Sequence, residues 1–517
     1  MIRKSLLLIL TILITASSSL QSQVPLIDGL KHPTKVYYSV FVQSFYDSNQ
    51  DGIGDLNGLT SKLDYLKDLG IEGLWLLPVH PSPTYHKYDV TDYYGIHPDY
   101  GTLDDYKTLV KEAHKRNMVI LLDLVANHTS NLHPWFINAQ KKRPGPYRDY
   151  YLWSDQPADY ELNPHQWHKP RNAKGVEQDK TRYYGFFWWE MPDLNYDNPT
   201  VRQEMIRIAT YWLEEVGVDG FRLDAALHIY NEKEATKNHG WWKEFGKAVR
   251  AVKPDAMIVG EVWAPSTTIA PFLANGLSAC FNFQLSDSIR KSLIDGIDRH
   301  IVETWQQIHR NYANENPQYQ DAIFLTNHDM TRIMTELKGH TGKARVAATL
   351  LLTLPGNPFI YYGEEIGMLG DKPDEFIREP FLWDLDHQDP GQTTWEIPWL
   401  SNAGTVKPLA MQKSDEKSLY NYYKTLIHVR KQSPALQTGN LLLHDTNNPK
   451  TLAFVRTAES ESILVLINLS NQTQSINTYP GINLLSPVYQ SHDFLKTING
   501  KTYLQPYSVH ILSQKFK

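Results

Sequence analysis

The sequence predicts an α/β protein built on a (β/α)₈ TIM barrel, with an inserted domain after the third strand and an all-β C-terminal domain. Between about residues 35 and 433, eight short apolar runs of strand length alternate with amphipathic stretches of helix length. After about residue 437 the pattern changes to short alternating segments separated by turn residues, which is typical of an all-β domain. Alternation alone leaves a doubly wound parallel sheet open as the second interpretation.

The predicted barrel strands are short runs of mainly aliphatic and aromatic residues, and they lie at Val36–Phe41, Gly73–Leu77, Val119–Asp123, Gly220–Asp224, Met257–Glu261, Ala279–Phe283, Ile323–Thr326 and Phe359–Tyr361. The predicted helices carry apolar residues at three- and four-residue intervals, and they include Ser61–Leu69, Thr102–Arg116, Val201–Val216, Trp241–Val252, Val302–Tyr312, Lys343–Leu354 and Lys417–Arg430.

The segment between the third strand and the helix from Val201 is far longer than a connection between a strand and a helix requires. It is rich in Pro, Tyr, Trp, Asp and Asn, and we interpret it as a small inserted domain. The predicted limits are a signal peptide at 1–22, the barrel at 23–128 and 200–436, the inserted domain at 129–199 and the C-terminal β domain at 437–517.

The N-terminus has the pattern of a signal peptide. Arg3 and Lys4 precede a short apolar run from Leu6 to Ala16, and small polar residues follow. The run is too short to span a bilayer comfortably, and an interfacial or uncleaved anchor is the alternative. We therefore expect a secreted or periplasmic protein without stable membrane insertion after signal removal. Cys280 is the single cysteine, so an internal disulfide is excluded.

The composition argues against nucleic acid as a partner. The formal net charge is −6 and the charges are scattered along the chain without a basic stripe. The sequence contains 30 Tyr, 14 Trp and 17 Phe, which suits sugar-binding clefts and large cores alike.

Polar residues cluster where the predicted strands end, and they are Asp123, Asn127 and His128 after strand 3, Arg222 and Asp224 at strand 4, Glu261 at strand 5, and Asn327, His328 and Asp329 after strand 7. A single acid at a strand end is usually explained as a helix cap. Acids at four strand ends, each near His, Arg or Asn, instead indicate an active site at the C-terminal rim of the barrel.

These residue types suit the cleavage of a glycosidic bond. A retaining enzyme needs a carboxylate nucleophile and a carboxylic acid roughly 5–5.5 Å apart, and strands 4 and 5 can hold Asp224 and Glu261 at about that separation. Arg222 is two residues before Asp224 and shares its face of the strand, so we expect it to keep that carboxylate ionised. Glu261 must start protonated, so we expect its pKa to be raised.

The strand-end segments Asp-Leu-Val-Ala-Asn-His, Gly-Phe-Arg-Leu-Asp-Ala, Val-Gly-Glu-Val-Trp and Leu-Thr-Asn-His-Asp resemble the conserved regions of the α-amylase family. The resemblance runs in order over about residues 33–385 and includes Gly-Ile-Glu-Gly-Leu-Trp-Leu-Leu-Pro and Gly-Asn-Pro-Phe-Ile-Tyr-Tyr-Gly-Glu-Glu-Ile-Gly. It implies a retaining α-glucan hydrolase with Asp224 as nucleophile, Glu261 as general acid/base and Asp329 as the stabiliser of the transition state.

The resemblance also implies the residues that contact sugar, which are Tyr88, His86, His128, Arg222 and His328. Lys87 stands where the family usually has Gly, which we expect to alter the rim of the cleft. Asp89 and Arg378 match a pair that closes the far end of the −1 sugar pocket in exo-acting relatives. The alternative for these two residues is an ordinary surface salt bridge.

The substrate is expected to be an α-glucan or a maltooligosaccharide, bound by a monomer. Ala225 resembles α-1,4-acting members, whereas Met191–Asn195 resembles a subgroup intermediate between α-amylases and oligo-1,6-glucosidases. An exo-acting α-glucosidase, an oligo-1,6-glucosidase or a transglycosylase remains the alternative with the same chemistry. A non-catalytic carbohydrate-binding protein with this fold is disfavoured, because all three carboxylates are present.

The loop Asp47-Ser-Asn-Gln-Asp-Gly-Ile-Gly-Asp55 has the alternating oxygen ligands of a Ca²⁺ site. The predicted ligands are Asp47, Asn49, Asp51, the Ile53 carbonyl and Asp55, although Gly58 stands where a final Glu is usual. An Asx-rich turn without metal is the alternative. Asn127 and the His228 carbonyl match a second calcium site of some relatives. Finally, Trp188 or Trp189 is a candidate sugar platform, with the core of the inserted domain as its alternative.

Overall fold

The structure, a computed structural model, describes residues 28–141, 145–163, 165–171, 181–385, 388–491 and 495–516. The predicted signal peptide at 1–22 lies outside the described residues. Within the ranges just given, we find no helix of the length and apolarity that crossing a membrane would require.

Eight short parallel strands form the central sheet, and they are β1 (Tyr37–Val40), β2 (Gly73–Leu76), β3 (Val119–Leu124), β4 (Gly220–Leu223), β5 (Met257–Gly260), β6 (Ala279–Cys280), β7 (Ala322–Phe324) and β8 (Asn357–Tyr361). Their order is β7-β8-β1-β2-β3-β4-β5-β6. A parallel bridge between Phe281 and Ala322 joins the end of β6 to β7 and nearly closes the ring. The predicted barrel is therefore confirmed, and the doubly wound alternative is wrong.

Aromatic side chains fill the barrel below its rim. The ring of Trp75 on β2 lies 5.2 Å from that of Phe281 after β6, and Phe281 lies 5.0 Å from Phe359 on β8. All three are buried. Because these strands are not neighbours, their contact shows a packed interior rather than a pore, and it supports the polar side chains above it.

The barrel helices follow their strands in order and are Leu56–Ser61 and Leu63–Leu69, Leu103–Lys115, Pro199–Tyr211, Ala235–Val252, Ser266–Ala274, Phe283–Asp295 and Ile301–Glu315, Thr341–Thr353, and Leu419–Gln432. A π-helical turn, Trp212–Val216, continues the helix that begins at Pro199. Shorter helices lie at Pro134–Ala139, Pro157–Leu162, Ile333–Glu336, Asp374–Ile377, Leu409–Ser414 and Pro434–Thr438.

Several of the predicted elements have different limits; the helix predicted at Trp241–Val252, for example, begins at Ala235. The strand predicted at Ala279–Phe283 ends at Cys280, because the Asn282 side chain accepts from the backbone N–H of Leu285 and begins a helix at Phe283. The helix predicted at Ser61–Leu69 is two helices that meet at Lys62.

The long connection after β3 carries its own small antiparallel sheet, with Arg182–Tyr184 between Trp153–Ser154 and Trp167–His168. Its core is aromatic, since the Phe136 ring lies 4.8 Å from Tyr183. Antiparallel bridges from His128 to Asp193 and from Tyr151 to Leu194 bring the end of this connection back to the rim of the barrel.

The C-terminal part is all β, as predicted. A five-stranded sheet contains Asn440–Leu443, Thr451–Thr457, Glu461–Asn468, Val509–Lys515 and Ser486–Gln490, in that spatial order. A three-stranded sheet contains Gln474–Asn477, Lys501–Leu504 and Lys496–Ile498. The sequence reasoning missed the strands of the smaller sheet, because they are polar and largely exposed and lack an apolar run.

Candidate active site

Polar residues predicted at the rim lie at the carboxyl ends of barrel strands. Asp123 is on β3, Arg222 is on β4, Asp224 follows β4 directly and Glu261 follows β5 directly. Parallel strands in a barrel bring these ends to one rim, so side chains distant in sequence meet there.

Arg222 joins three carboxyl groups. Its Nη1 lies 2.9 Å from Asp123 Oδ1 and 2.8 Å from Asp224 Oδ1, and its Nη2 lies 2.9 Å from Glu261 Oε2. The backbone N–H of Ala225 donates to the same Glu261 oxygen at 3.1 Å. Asp224 and Glu261 are therefore held side by side by the two arms of one guanidinium group.

Burial raises the pKa values of this cluster. The pKa of Asp224 and that of Glu261 both rise to about 7, and neighbouring carboxylates add to the burial effect. The pKa of Asp123 rises to about 6 for the same reason. The rise predicted for Glu261 has the expected direction. For Asp224, the contact with Arg222 exists as predicted and acts to lower the pKa of that carboxyl, but burial raises the pKa by more, so the net shift is upward.

Asp329 follows β7 and has its own partners. Its Oδ2 is 3.1 Å from His328 Nε2, and its Oδ1 is 2.9 Å from Arg378 Nη2. Arg378 also reaches Asp374 at 3.4 Å and donates to the Tyr85 hydroxyl at 3.2 Å. The sequence reasoning missed Asp374 and Tyr85. Asp374 is one helical turn before Arg378, which is a spacing that could have indicated it.

Tyr88 lies between the carboxyl cluster around Arg222 and the pair formed by His328 and Asp329. Its hydroxyl lies 2.6 Å from His328 Nε2 and 3.2 Å from Asp123 Oδ2, and its ring stacks on that of His328 at 5.5 Å. His128 Nε2 lies 3.2 Å from the Tyr88 carbonyl. Burial lowers the pKa of His128 to about 4 and that of His328 well below its usual value, so both rings are neutral near pH 7.

Asp89 and Arg378 have separate partners. Asp89 is buried and accepts hydrogen bonds from the hydroxyls of Ser82 and Thr84, while Arg378 binds Asp329 and Asp374. Burial raises the pKa of Asp89. Their predicted pairing across the −1 pocket is not formed in the described structure. The alternative, a surface salt bridge, is wrong as well, because both side chains are buried.

Lys87 occupies an unusual position between His86 and Tyr88. Its φ angle is +62°, in the left-handed region that favours glycine, and its side chain is 2% exposed. The ammonium group donates to Gln43 Oε1 at 3.3 Å and lies 4.7 Å from the centre of the Tyr100 ring. Lys87 therefore points into the protein beneath the two predicted sugar-contacting residues and does not extend into the cleft.

The predicted calcium loop is held by its own side chains. Asp47 accepts from the backbone N–H groups of Gln50 and Gly52 at 2.6 and 2.7 Å, and Asp55 accepts from Gly58 at 2.6 Å as the cap of a helix. In the part of the chain that the structure describes, no group of three His, Cys, Asp or Glu is arranged to hold a metal. The other two predicted ligands, the Asn49 side-chain amide and the Ile53 backbone carbonyl, do not belong to these four residue types.

At the second predicted calcium position, the two groups meet directly. The Asn127 side-chain amide donates to the His228 carbonyl at 2.7 Å. Because the two expected ligands are hydrogen-bonded directly to each other, no space for an ion remains between them.

Several aromatic side chains near the rim are open to solvent. Trp188 is exposed, as a sugar platform requires, whereas Trp189 is half-buried. Phe187 and Trp263 are also exposed, and Trp263 stacks on Phe283 at 4.4 Å. The sequence reasoning did not single out these last two residues, because exposure cannot be read from an aromatic residue type alone.

A parallel barrel whose strands 4, 5 and 7 each end in a carboxyl group, gathered around arginine and neutral histidine, defines a glycoside hydrolase. The comparisons with known proteins give the family. The α-amylase catalytic domain matches residues 39–439, and the maltogenic amylase C-terminal domain matches residues 442–511. The chain belongs to the α-amylase family.

Individual relatives agree with this assignment. The chain is 45% identical to "Alpha-amylase 3" of Dictyoglomus thermophilum over 477 residues, which are 92% of each protein. It is 31% identical to an oligo-1,6-glucosidase of Parageobacillus thermoglucosidasius over 85% of this chain and 90% of the relative. The crystal structure of the α-amylase from H. orenii superposes with a TM-score of 0.83 at 40% identity, over 93% of this chain and all of that one.

Proposed function

We propose that this protein hydrolyses α-1,4-glucosidic bonds in starch-like polymers or maltooligosaccharides, with retention of configuration through a covalent glycosyl-enzyme intermediate. The observation that carries the proposal is the placement of Asp224 and Glu261 on the two arms of Arg222. Retaining chemistry requires two carboxyl groups in such close proximity, whereas an inverting enzyme keeps them farther apart to admit a water molecule.

The proposed reaction has two displacements. Because Arg222 binds Oδ1 of Asp224, we assign the attack on the anomeric carbon to Oδ2. The bond from that carbon to the leaving oxygen breaks, and the oxygen takes the proton of Glu261. Water then attacks the same carbon, gives a proton to Glu261 and releases Asp224. Asp329, held by Arg378, stabilises the positive charge that develops on the sugar.

The charge count of the cluster supports a stored proton. Arg222 is one cation among Asp123, Asp224 and Glu261, and burial raises the pKa of all three carboxyls. One proton is therefore retained near pH 7. We assign it to Glu261, which is the group that must act first as an acid.

The test combines two variants with two substrates. Asp224→Asn should reduce kcat by several orders of magnitude, because it removes the nucleophile and preserves the shape. Glu261→Gln should lose much less activity on a nitrophenyl maltoside than on maltoheptaose, since a good leaving group needs no proton. Asp287→Asn, on an exposed helix face, is the matched control. Equal losses by Glu261→Gln on both substrates, or more than about a tenth of the activity in Asp224→Asn, would reject these roles.

The alternative is an exo-acting α-glucosidase or a transglycosylase with the same intermediate. The separate partners of Asp89 and Arg378 favour endo or mixed action, because a chain that continues past the −1 sugar must not meet a salt bridge there. The ratio of viscosity loss to new reducing ends on soluble amylose tests this, for wild type and Asp89→Ala. A slow viscosity loss in wild type that becomes fast in the variant would establish a blocking role.

We further propose that the loop from Asp47 to Asp55 holds a structural Ca²⁺, with the side chains of Asp47, Asn49, Asp51 and Asp55 and the Ile53 carbonyl as ligands. The loop carries three carboxylates, and none of them has an ion-pair partner among the described residues. Asp47 is only 3% exposed, so its negative charge is buried without a cation beside it. A chelator should lower Tm, and Asp51→Ala should lower it without a chelator and abolish the response. A Tm that stays unchanged after prolonged chelation would reject the site.

We also propose export by the N-terminal signal, followed by function as a monomer outside the cytoplasm. The basic residues and apolar run at the N-terminus support the first part. N-terminal sequencing of the protein recovered from the medium or the periplasm, together with its mass in solution, tests both. A cell-associated protein that keeps its first 22 residues would contradict the export proposal.

A further inference from the structure

An exposed apolar pair lies in the long connection after β8. Ile397 is 63% exposed and Trp399 is 61% exposed, with Pro398 between them. Large apolar side chains that are exposed together usually mark a surface that binds a partner. Among the described residues, neither side chain belongs to a hydrophobic core cluster or packs against one.

The connection that presents this pair is anchored on both sides. Before it, Trp395 stacks on Tyr85 at 5.4 Å and donates its indole N–H to Ser44 Oγ at 2.8 Å. After it, the backbone N–H groups of Leu400 and Ser401 donate to the carboxylate of Glu379 at 2.8 and 2.7 Å. Glu379 is fully buried. Trp399 is therefore held out from a fixed backbone, which reduces the entropy that binding would cost.

Both anchoring residues, Tyr85 and Glu379, are adjacent to Arg378, the first by a hydrogen bond and the second in the sequence. Tyr85 accepts a hydrogen bond from Arg378, which binds Asp329, and Glu379 is the residue next to Arg378. These contacts bring the connection that carries the exposed pair to the side of the rim where Asp329 and Arg378 lie. Arg378 has no ion pair with Asp89 in the described structure, so no salt bridge between them separates this rim from the −1 pocket.

We propose that Trp399, with Ile397 beside it, is a stacking platform for a glucose unit of an α-glucan chain that extends past Arg378. Indole offers the largest flat apolar face among side chains, and the axial hydrogens of a pyranose form a matching apolar face. The platform would add affinity for long chains and contribute nothing to short ones that end before it. This inference rests on the proposed function, because its ligand is the substrate of that site.

The experiment compares maltotriose with maltoheptaose for wild type, Trp399→Ala and Trp399→Phe. Tyr503→Ala, an exposed aromatic on the C-terminal domain, is the matched control. Trp399→Ala should raise KM for maltoheptaose by about three- to tenfold and leave kcat and the maltotriose constants within about twofold. Trp399→Phe should restore most of the affinity, and Tyr503→Ala should change neither substrate. Titration of maltoheptaose into Asp224→Asn, with and without Trp399→Ala, should give the same ratio in Kd.

Three results would overturn the inference. One is an equal change for both oligosaccharides, and another is an unchanged KM for maltoheptaose. The third is a dimer of the wild type that Trp399→Ala dissociates, since the pair would then bind a second copy of the chain. If wild type cleaves neither oligosaccharide, the proposed function fails and the platform with it. If wild type cleaves both and Trp399→Ala behaves like wild type, only the platform fails.

Discussion

Two regions of the molecule bury arginine completely and satisfy it in opposite ways. Arg222 at the rim of the barrel is bonded to the carboxyl groups of Asp123, Asp224 and Glu261. Arg456, on a strand of the C-terminal domain, is bonded to backbone carbonyls instead, at 2.6 Å from Thr353 and 3.0 Å from Gly439. The pKa of Arg222 is raised by its carboxylates, whereas that of Arg456 is lowered by burial.

The partners of each arginine indicate its role: Arg222 lies among groups that can exchange protons, whereas Arg456 connects two domains. Carbonyl groups do not titrate, so Arg456 fixes the C-terminal sheet against the end of the helix Thr341–Thr353, where the helix dipole is negative. Arg430 does the same from the barrel side, at 2.9 Å from the carbonyls of both Leu352 and Leu354. Carboxyl groups around Arg222 instead compete for one cation, which supports the proposal that one of them keeps a proton for catalysis.

The largest expected effect is on catalysis at Arg222. Arg222→Lys keeps the positive charge but cannot reach Asp224 and Glu261 with two planar arms. We expect kcat/KM on maltoheptaose to fall on the order of 10³-fold, while Tm changes by only a few degrees. Steady-state kinetics and thermal unfolding measure the two quantities. Near-normal activity would show that charge alone, without the fork geometry, organises the carboxylates.

The next effect is on stability at Arg456. Arg456→Met removes the charge and leaves the carbonyls of Thr353 and Gly439 without their buried donor, which costs about 2–4 kcal/mol. Activity of the folded enzyme should stay within about twofold of wild type. Denaturant unfolding gives the first value and assays well below the transition give the second. An unchanged or raised stability would mean that desolvation of the arginine exceeds the benefit of its hydrogen bonds.

A smaller, graded effect concerns pH, because the carboxyl groups around Arg222 titrate near neutrality, whereas the carbonyl groups around Arg456 do not titrate. Above about pH 7 Glu261 loses the proton it must donate, and below it Asp224 gains one, so kcat/KM should fall on both sides. Arg222→Lys should shift this profile and Arg456→Met should not.

The same groups make stability depend on pH. Their folded pKa values lie above the unfolded values of about 4, so the folded chain keeps protons that the unfolded chain has released. Their contribution is therefore fully present below about pH 4 and is lost as the pH rises through about 7. The Tm of wild type should fall more between pH 5 and 8 than that of Glu261→Gln. Parallel curves would argue against the raised pKa of Glu261.

The same contrast explains what could be predicted from the sequence. Strand periodicity and acids at strand ends predicted the barrel and brought Asp224, Glu261 and Asp329 to one rim, because strand direction and side-chain alternation are local properties. The contact of Arg378 with Tyr85 was not predictable in this way, because Tyr85 lies far away in the sequence, on a loop whose course depends on long-range packing. Asp374, one helical turn before Arg378, is a local partner that its spacing could have indicated.

The buried arginines that donate to backbone carbonyls could not be recognised from the sequence. Arg430 and Arg456 lie in segments whose patterns also suit exposed basic residues, and only the assembled domains show that both are enclosed. The polar strands of the small C-terminal sheet were missed for a related reason, since half-exposed strands lack the apolar alternation on which the prediction depends.

The smallest expected effect is at Lys87, a buried lysine whose one hydrogen-bond partner in the described structure is Gln43. Lys87→Gly should relieve the positive φ by about 1 kcal/mol but lose the contacts with Gln43 and Tyr100, so the net change in stability near pH 7 should be within about 1 kcal/mol. Burial lowers the pKa of Lys87 to about 8, below its unfolded value of about 10.4. The unfolded chain then binds more protons between these values, so this residue makes wild type more stable as the pH rises from about 8 to about 10. The Tm difference, wild type minus Lys87→Gly, should therefore increase over that range, and Lys87→Met should give the same slope while keeping the buried stem. A difference that stays constant with pH would show that the Lys87 ammonium is better satisfied than one amide and one aromatic ring allow.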